Sequence, residues 1–156
     1  MDPTNTTIPS PPEGQDLATV QMKFEAMPIP VADFDRAKAF YQQLGWRLDI
    51  DFHFTEQVRA VQFTPIGSPA SIQFRPASSA PLQGLLLVVD DIEAARAELV
   101  DRGIDVSEIS HALPGQPPEP GRDPDGRSYV SQASFSDPDG NLWVLQEVTE
   151  RIAGRV

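Results

Sequence analysis

The chain has 156 residues, of which 40% are hydrophobic, and this is enough for one domain with a hydrophobic core. Its formal net charge of −11 argues against nucleic acid and anionic membranes as partners, because their phosphates would repel it. The chain has no cysteine, which excludes disulfides, zinc–thiolate sites and a thiol nucleophile.

Residues 1–20 are rich in proline, threonine and serine and have little to bury, so we expect a disordered tail there. This stretch lacks the basic start and apolar centre of a signal peptide, and no apolar run in the chain approaches the length of a membrane span. We therefore expect a cytoplasmic protein whose ordered domain covers residues 21–150 and is followed by a short tail, 151–156.

Two segments with matching sequences each predict a helix that follows a strand. They are VADFDRAKAFYQQLGW, from Val31 to Trp46, and VDDIEAARAELVDRGI, from Val89 to Ile104, and residues of one match residues of the other at an offset of 58. Asp33 and Asp91 are typical N-cap residues, and Gly45 and Gly103 are typical of the position where a helix ends. The matched pairs include Asp33/Asp91, Asp35/Glu93 and Gly45/Gly103.

Three strand-like segments follow each helix, so the chain is predicted to be two βαβββ modules, 21–78 and 82–150, that arose by internal duplication. The predicted strands after the helices are 47–54, 58–65 and 70–76 in module one, and 104–109, 128–136 and 141–148 in module two. The second module is longer because of residues 110–128, whose many prolines predict an irregular loop. This loop is either a lid or binding loop, or a surface excursion.

The motifs VADFDRAKAFYQQLGW and FSDPDGNLW, in this order within a paired βαβββ chain, resemble the vicinal oxygen chelate superfamily. That superfamily includes glyoxalases, extradiol dioxygenases, fosfomycin-resistance enzymes and bleomycin-binding proteins. The resemblance covers residues 22–150. It implies an α+β fold in which the two modules form an open cup, a divalent ion in the cup of metal-dependent members, and a homodimer.

The resemblance also implies four metal-ligand positions, two in each module: one at the strand before the helix and one in the last strand. In this sequence they are occupied by Ala26, Gly84, Gln73 and Val144. Alanine, glycine and valine have no donor side chain, and a neutral amide is a poor ligand for a divalent ion. We therefore expect no metal at these positions and no other cofactor.

Glu147 is the carboxylate nearest to the last of these positions. Because side chains alternate along a strand, Glu147 should point away from the face that Val144 shares with Gln146, unless a bulge shifts the register. We expect it to be a solvated or ion-paired strand end.

Strand alternation also predicts which side chains line the cup. The ligand positions place one set on its surface: Phe24, Ala26, Gln73, Arg75, Leu86, Val88, Val144 and Gln146. A second set, which no motif fixes in register, is Arg59, Gln62, Gln132, His53 and Tyr129. In the second set, His53 and Tyr129 are the candidates for acid–base catalysis. In the first set, Arg75 could hold an anionic or carbonyl-bearing ligand.

The sequence favours a glyoxalase- or bleomycin-resistance-like protein that binds a small organic molecule in an apolar cup without metal. The alternative is an enzyme, either a metal-independent lyase, isomerase or cyclase, or a divalent-metal lyase or dioxygenase with relocated ligands. A third alternative is an interaction protein with a vestigial cup.

Overall fold

The computed structural model describes residues 8–155. Its elements are β1 (Ala26–Val31), α1 (Phe34–Gln43), β2 (Arg47–His53), β3 (Arg59–Thr64), β4 (Ser71–Pro76), β5 (Leu85–Val89), α2 (Ile92–Asp101), β6 (Ser110–His111), β7 (Glu119–Pro120), β8 (Ser131–Ser136) and β9 (Leu142–Glu147). Of the predicted N-terminal tail, residues 1–7 lie outside the described residues, as does residue 156 of the C-terminal tail, and residues 8–25 contain neither helix nor strand. Within residues 8–155, neither helix has the length and apolarity that crossing a bilayer requires.

The strands form two mixed sheets, one in each module. The first sheet has the order β1-β4-β3-β2, and the second has the order β5-β9-β8-β6-β7. In each sheet the strand before the helix pairs in parallel with the last strand of its module, and the other pairs are antiparallel. The predicted α+β fold is therefore confirmed, with one mixed sheet in each module. Module one has the predicted βαβββ order, whereas module two has four strands after its helix instead of three.

The two helices begin and end where the sequence predicts. The carboxylates of Asp33 and Asp91 each accept a hydrogen bond from the backbone N–H three residues further on, at 3.1 Å and 3.0 Å, which stabilises the first helical turn. Gly45 and Gly103 follow the helices in the left-handed conformation, both with φ of +83°. A residue with a Cβ would be strained at these two positions.

The strand predicted at residues 104–109 is not observed, and a short hairpin forms inside the segment predicted as an irregular loop. Arg96 of α2 donates hydrogen bonds to the backbone carbonyls of Val106 and Ser107, so a side chain takes the acceptors that a strand partner would need. Within this segment Ser107 donates one backbone hydrogen bond to Ser134 of β8, and a strand forms only further on, where β6 lies between β7 and β8. Pro120 in β7 has no N–H to donate, and it lies on an edge strand, where that loss is tolerated.

Alternating side chains of both sheets share one hydrophobic core with the helices. Ile29 and Val31 of β1 and Phe63 of β3 are in this core together with Trp143 and Leu145 of β9. The faces turned away from this core are called the cup faces. The cup face of module one carries Ala26, Pro28, Ile50, Phe52, Ala60, Gln62, Gln73 and Arg75, and that of module two carries Leu86, Val88, Ser110, Gln132, Ser134, Val144 and Gln146.

Candidate functional site

Strand pairing brings several of the predicted cup residues together on the cup face of module one. Gln62 of β3 lies directly opposite Gln73 of β4, and the Gln73 amide Nε2 donates to Gln62 Oε1 at 3.0 Å. The guanidinium of Arg75 donates to Gln73 Oε1, also at 3.0 Å. The result is a polar row of amide and guanidinium groups across neighbouring strands.

The four positions of the family's metal ligands do not fit a divalent cation. Ala26 and Val144 lie on cup faces but carry no donor atom, and Gly84 precedes β5 without a side chain. The Gln73 amide is already bonded on both sides, to Gln62 and Arg75. Among residues 8–155 there is also no group of three or more histidine, cysteine, aspartate or glutamate side chains that could hold a metal.

Glu147 points away from the cup face, as strand alternation predicts. Of the two expected states of its carboxylate, solvated or ion-paired, the structure has the ion-paired one, and the residue is 0% exposed. Its carboxylate accepts from the Arg122 guanidinium at 2.9 Å and from the backbone N–H of Ile92, the first residue of α2, at 3.0 Å. Glu147 thus ties the long 110–128 segment to the N-terminus of α2, where the helix dipole favours a negative charge.

Asp49 lies among the cup-face side chains, and the sequence reasoning missed it. The register between β2 and β3 shifts between Leu48 and Ile50, which is a β-bulge. The bulge turns the Asp49 carboxylate toward Thr64 and Gln62, whose side chains both donate to it. Regular alternation would have placed Asp49 on the same face as Asp51, and no glycine in this strand signals the bulge.

The ionisation of Asp49 follows from these contacts. Burial acts to raise the pKa of its carboxyl group, but hydrogen bonds from Thr64, Arg47 and Gln62 outweigh burial, so the pKa is lower than that of an ordinary aspartate. Asp49 is therefore an anion at neutral pH and a poor proton acceptor. Its chemistry is that of a hydrogen-bond acceptor rather than a general base.

The cup face of module two is lined by amides and hydroxyls. Gln132 and Gln146 lie opposite each other on β8 and β9, and Gln146 Nε2 donates to the carbonyl oxygen of Tyr129 at 3.1 Å. Tyr129 has a φ of +67°, which is unusual for a residue with a side chain and aims its carbonyl at Gln146. Beside this pair, Val144 and Ser134 line a pocket of about 250 Å³.

The two candidate catalytic residues are not brought together. His53 lies opposite Arg59 in the β2–β3 pair and shares its face with the core residue Val61, so neither His53 nor Arg59 is on a cup face. Arg59 instead binds the carboxylates of Asp35 and Asp51. Tyr129 lies in module two, where its hydroxyl accepts from the backbone N–H of Ile152. No acid–base pair results from these residues.

Large apolar side chains lie exposed around the polar groups. On β2, Phe52 is 56% exposed on the cup face, and its ring meets that of Phe54 edge-on at 4.9 Å between centroids. Phe24 and Leu86 are also exposed, and both line a groove of about 760 Å³ between the start of β1 and the β5 strand. Exposed aromatic and aliphatic groups beside a few fixed polar groups are typical of a small-molecule site.

Comparison with known proteins places the chain in a family. Residues 23–145 match the model of the Glyoxalase/Bleomycin resistance protein/Dioxygenase superfamily. No curated protein sequence matches the chain.

Solved structures give the same assignment. The antibiotic binding protein TnmS3 from Streptomyces sp. CB03234 is 30% identical with a TM-score of 0.62, and the match covers 84% of this chain and 99% of that one. A glyoxalase/bleomycin resistance protein from the same organism is 32% identical with a TM-score of 0.58, over 80% of this chain and 100% of that one. A superfamily member from Sphaerobacter thermophilus DSM 20745 is 26% identical with a TM-score of 0.59, over 81% and 98% of the two chains.

Proposed function

Because this chain belongs to the Glyoxalase/Bleomycin resistance protein/Dioxygenase superfamily, we propose that it binds a small aromatic molecule on its cup faces without a metal. The observation that carries the proposal is the content of the cup. The positions that would hold a cation have Ala26, Gly84, Gln73 and Val144, while exposed aromatic side chains and fixed amides lie beside them. A binding site needs an apolar surface with a few orienting polar groups, and that is what these residues supply.

The relative TnmS3, described as an antibiotic binding protein, supports binding as the function and an antibiotic as the ligand. An enzyme of this family without a metal would need an acid–base pair in the cup. His53 lies on the opposite face of the sheet, the Tyr129 hydroxyl accepts from the backbone N–H of Ile152, and Asp49 is held as an anion, so catalysis has less support than binding.

We propose that the binding form is a homodimer. Among the described strands, β1 pairs only with β4 and β5 pairs only with β9, so one edge of each strand is open to another chain. Phe24 and Leu86 lie exposed near these edges. Light scattering during size-exclusion chromatography tests this proposal, since a dimer has twice the mass of the single chain.

Binding is tested by titrating the purified full chain with bleomycin and with doxorubicin, an aromatic polyketide, before and after removal of metals with a chelator. We expect binding of at least one compound, unchanged by the chelator and without a new product by mass spectrometry. Phe52→Ala should weaken that binding by about tenfold, because a large aromatic contact is lost. His53→Ala is the matched control, since the two residues are neighbours on β2 and lie on opposite faces.

Three results would contradict the proposal: no binding of either compound, binding that disappears with the chelator, or equal losses in the two variants. Conversion of a bound compound would instead support an enzyme.

A further inference from the structure

A single carboxylate of the described strands has its contacts on a cup face. These strands carry four carboxylates, Asp49, Asp51, Glu119 and Glu147. Asp51 binds Lys38 and Arg59 on the helix side of its sheet, and Glu147 is buried against Arg122. Glu119 lies opposite His111, away from the Ser110 face. Asp49 alone meets cup-face side chains, and its own side chain is 17% exposed.

Asp49 is one end of a chain of hydrogen bonds that crosses the cup face of module one. Gln62 Nε2 donates to Asp49 Oδ2 at 3.4 Å, which is a long contact, and Gln73 Nε2 donates to Gln62 Oε1 at 3.0 Å. Arg75 Nη2 then donates to Gln73 Oε1 at 3.0 Å. The chain therefore runs from an anion through two amides to a cation, over three strands of one sheet.

The two charged ends decide which way each amide points. A carboxylate can only accept hydrogen bonds and a guanidinium can only donate them. Gln62 must therefore turn its NH₂ group toward Asp49, and Gln73 must turn its carbonyl toward Arg75. With both ends in place the two amides have one consistent arrangement, and neutralising either end removes that constraint.

The two ends of this row of hydrogen bonds, Asp49 and Arg75, differ in how many further hydrogen bonds they can make. The Asp49 carboxylate is satisfied by Thr64, Gln62 and Arg47, the last at 2.5 Å, so it offers little to a ligand. At the other end, Arg75 retains N–H groups beyond the two that bind Gln73 and Phe74, and each amide NH₂ retains one N–H. The surface shown to a ligand is therefore rich in donors.

We propose that Asp49 is a positioning residue that fixes the Gln62 and Gln73 amides, so that the cup face of module one selects ligands with carbonyl or phenolate oxygens. This proposal rests on the proposed binding function and adds the chemical class that the site prefers. Asp49 does not touch the ligand in this account. It acts through the two amides, and a donor surface next to exposed Phe52 suits a flat aromatic compound that carries oxygen acceptors.

The first test measures the amides without any ligand. In ¹⁵N-labelled full-length protein, the side-chain NH₂ signals of Gln62 and Gln73 should shift in Asp49→Asn, because the carboxylate no longer orients Gln62. Asp51→Asn is the matched control, since it changes the same residue type two positions along the same strand on the opposite face. Unchanged Gln signals in Asp49→Asn, or equal shifts in both variants, would overturn the proposal.

The second test measures selectivity with two bicyclic probes, coumarin-3-carboxylate and 2-naphthoate. Both carry a carboxylate, and the coumarin adds a lactone group, with its ring oxygen and carbonyl acceptor. Wild-type protein should bind the coumarin more tightly, and Asp49→Asn should reduce this preference by about threefold to tenfold, the effect of one oriented hydrogen bond. Asp51→Asn should keep the preference.

A wild-type protein with no preference for the coumarin, including one that binds neither probe, would contradict the proposed ligand class. The binding function would still be judged by bleomycin and doxorubicin, so the two failures can be told apart.

Discussion

The two modules have the same order of elements apart from one additional short strand in module two. They are joined to each other differently at equivalent places. The helices match at an offset of 58, which pairs Tyr41 of α1 with Leu99 of α2. Tyr41 is fully buried and reaches across to the turn before β9 in module two. Leu99 faces the β3–β4 connection of module one and makes no such bond across the groove between them.

The contact made by Tyr41 is a buried polar network. Its hydroxyl donates to Asp137 Oδ2 at 2.7 Å and accepts from Trp143 Nε1 at 3.0 Å. Asn141 donates to the same carboxylate and to the carbonyl oxygen of Pro30 in β1. Burial, followed by the neighbouring Asp137, raises the pKa of the Tyr41 hydroxyl, so it remains a donor at every physiological pH.

The place equivalent to this network is an apolar groove of about 330 Å³. It is lined by Leu99 together with Trp46 and Leu87, and Ile66 at its rim is 78% exposed. The comparison teaches that duplication preserved the fold while only one of the two junctions has a buried polar network. Beside the groove, Gln43 of α1 donates a single exposed hydrogen bond to the carbonyl oxygen of Arg102, at 2.7 Å. A polar network specifies one arrangement of the modules, whereas apolar contacts alone specify it less strictly.

The largest effect on stability is expected from a second difference between the modules. This difference lies at the end of the last strand of each module. Val31 pairs with Pro76 in module one, and the equivalent Val89 pairs with Glu147 in module two. Arg122→Ala leaves the Glu147 carboxylate buried without its cation, so it should lower the free energy of unfolding more than any of the substitutions below. Urea denaturation measures it.

The control for this prediction is Arg36→Ala. Arg36 is half exposed and its ion pair with Asp139 is at 3.3 Å, so its loss should cost less than about 1 kcal/mol. If Arg122→Ala is no more harmful than Arg36→Ala, Glu147 does not depend on Arg122.

Tyr41→Phe should have the next largest effect on stability, because it removes the Tyr41 hydroxyl from the network and keeps the ring. Trp143 Nε1 loses its acceptor and Asp137 loses a donor, both in a buried site, so stability should fall by about 2 kcal/mol. Tyr129→Phe is the matched control, as the Tyr129 hydroxyl is only partly buried and accepts a longer hydrogen bond, from the backbone N–H of Ile152 at 3.2 Å. Equal losses in thermal denaturation of the two variants would show that the network adds nothing specific.

The sequence predicts the features of the fold that repeat at a fixed spacing. The N-caps, the ends of the helices and the direction of Glu147 follow from local residue types and from strand alternation, and the structure has them in the predicted places. Asp49 and Arg59 show where this reasoning fails. Asp49 is displaced by a bulge in β2, and no residue in that strand marks it. Arg59 lies on β3 three residues before Gln62, so the two side chains point to opposite faces, and no motif in the sequence fixes which of them faces the cup.

The contacts between the modules could not be predicted from the sequence either. Tyr41 reads as one more apolar residue on the buried face of α1, since nothing near it indicates a partner at Asp137. Such pairs depend on how the two modules pack, and packing between distant segments leaves no periodic signal.

Acid sensitivity should have a contribution from each module. Hydrogen bonds from Arg59 and then Lys38 lower the pKa of Asp51 in module one, and those from Arg127 lower the pKa of Asp123 in module two. A depressed pKa stabilises the fold above the unfolded value of about 3.9, and that stability is lost as pH falls below it.

Asp51→Asn should therefore reduce stability at neutral pH by about 1.5 kcal/mol and flatten its decline between about pH 5 and pH 2.5. Free energies of unfolding across this range measure both effects. A decline parallel to that of the wild type would show that Asp51 does not contribute to acid sensitivity.

The smallest effect is expected from filling the groove at the junction without the network. Leu99→Phe places a ring beside Trp46 and Leu87, where the structure leaves about 330 Å³ open. Cavity filling of this kind commonly adds about 0.5–1 kcal/mol, whereas overpacking a closed core costs about 1–3 kcal/mol, so the sign of the change reports whether the groove is open in solution. Ala97→Phe, on the exposed side of α2, controls for the change in helix propensity. If Leu99→Phe raises the stability to urea and Ala97→Phe does not, the two junctions differ in packing as well as in hydrogen bonding. A loss of stability in Leu99→Phe would mean that the groove is closed in solution.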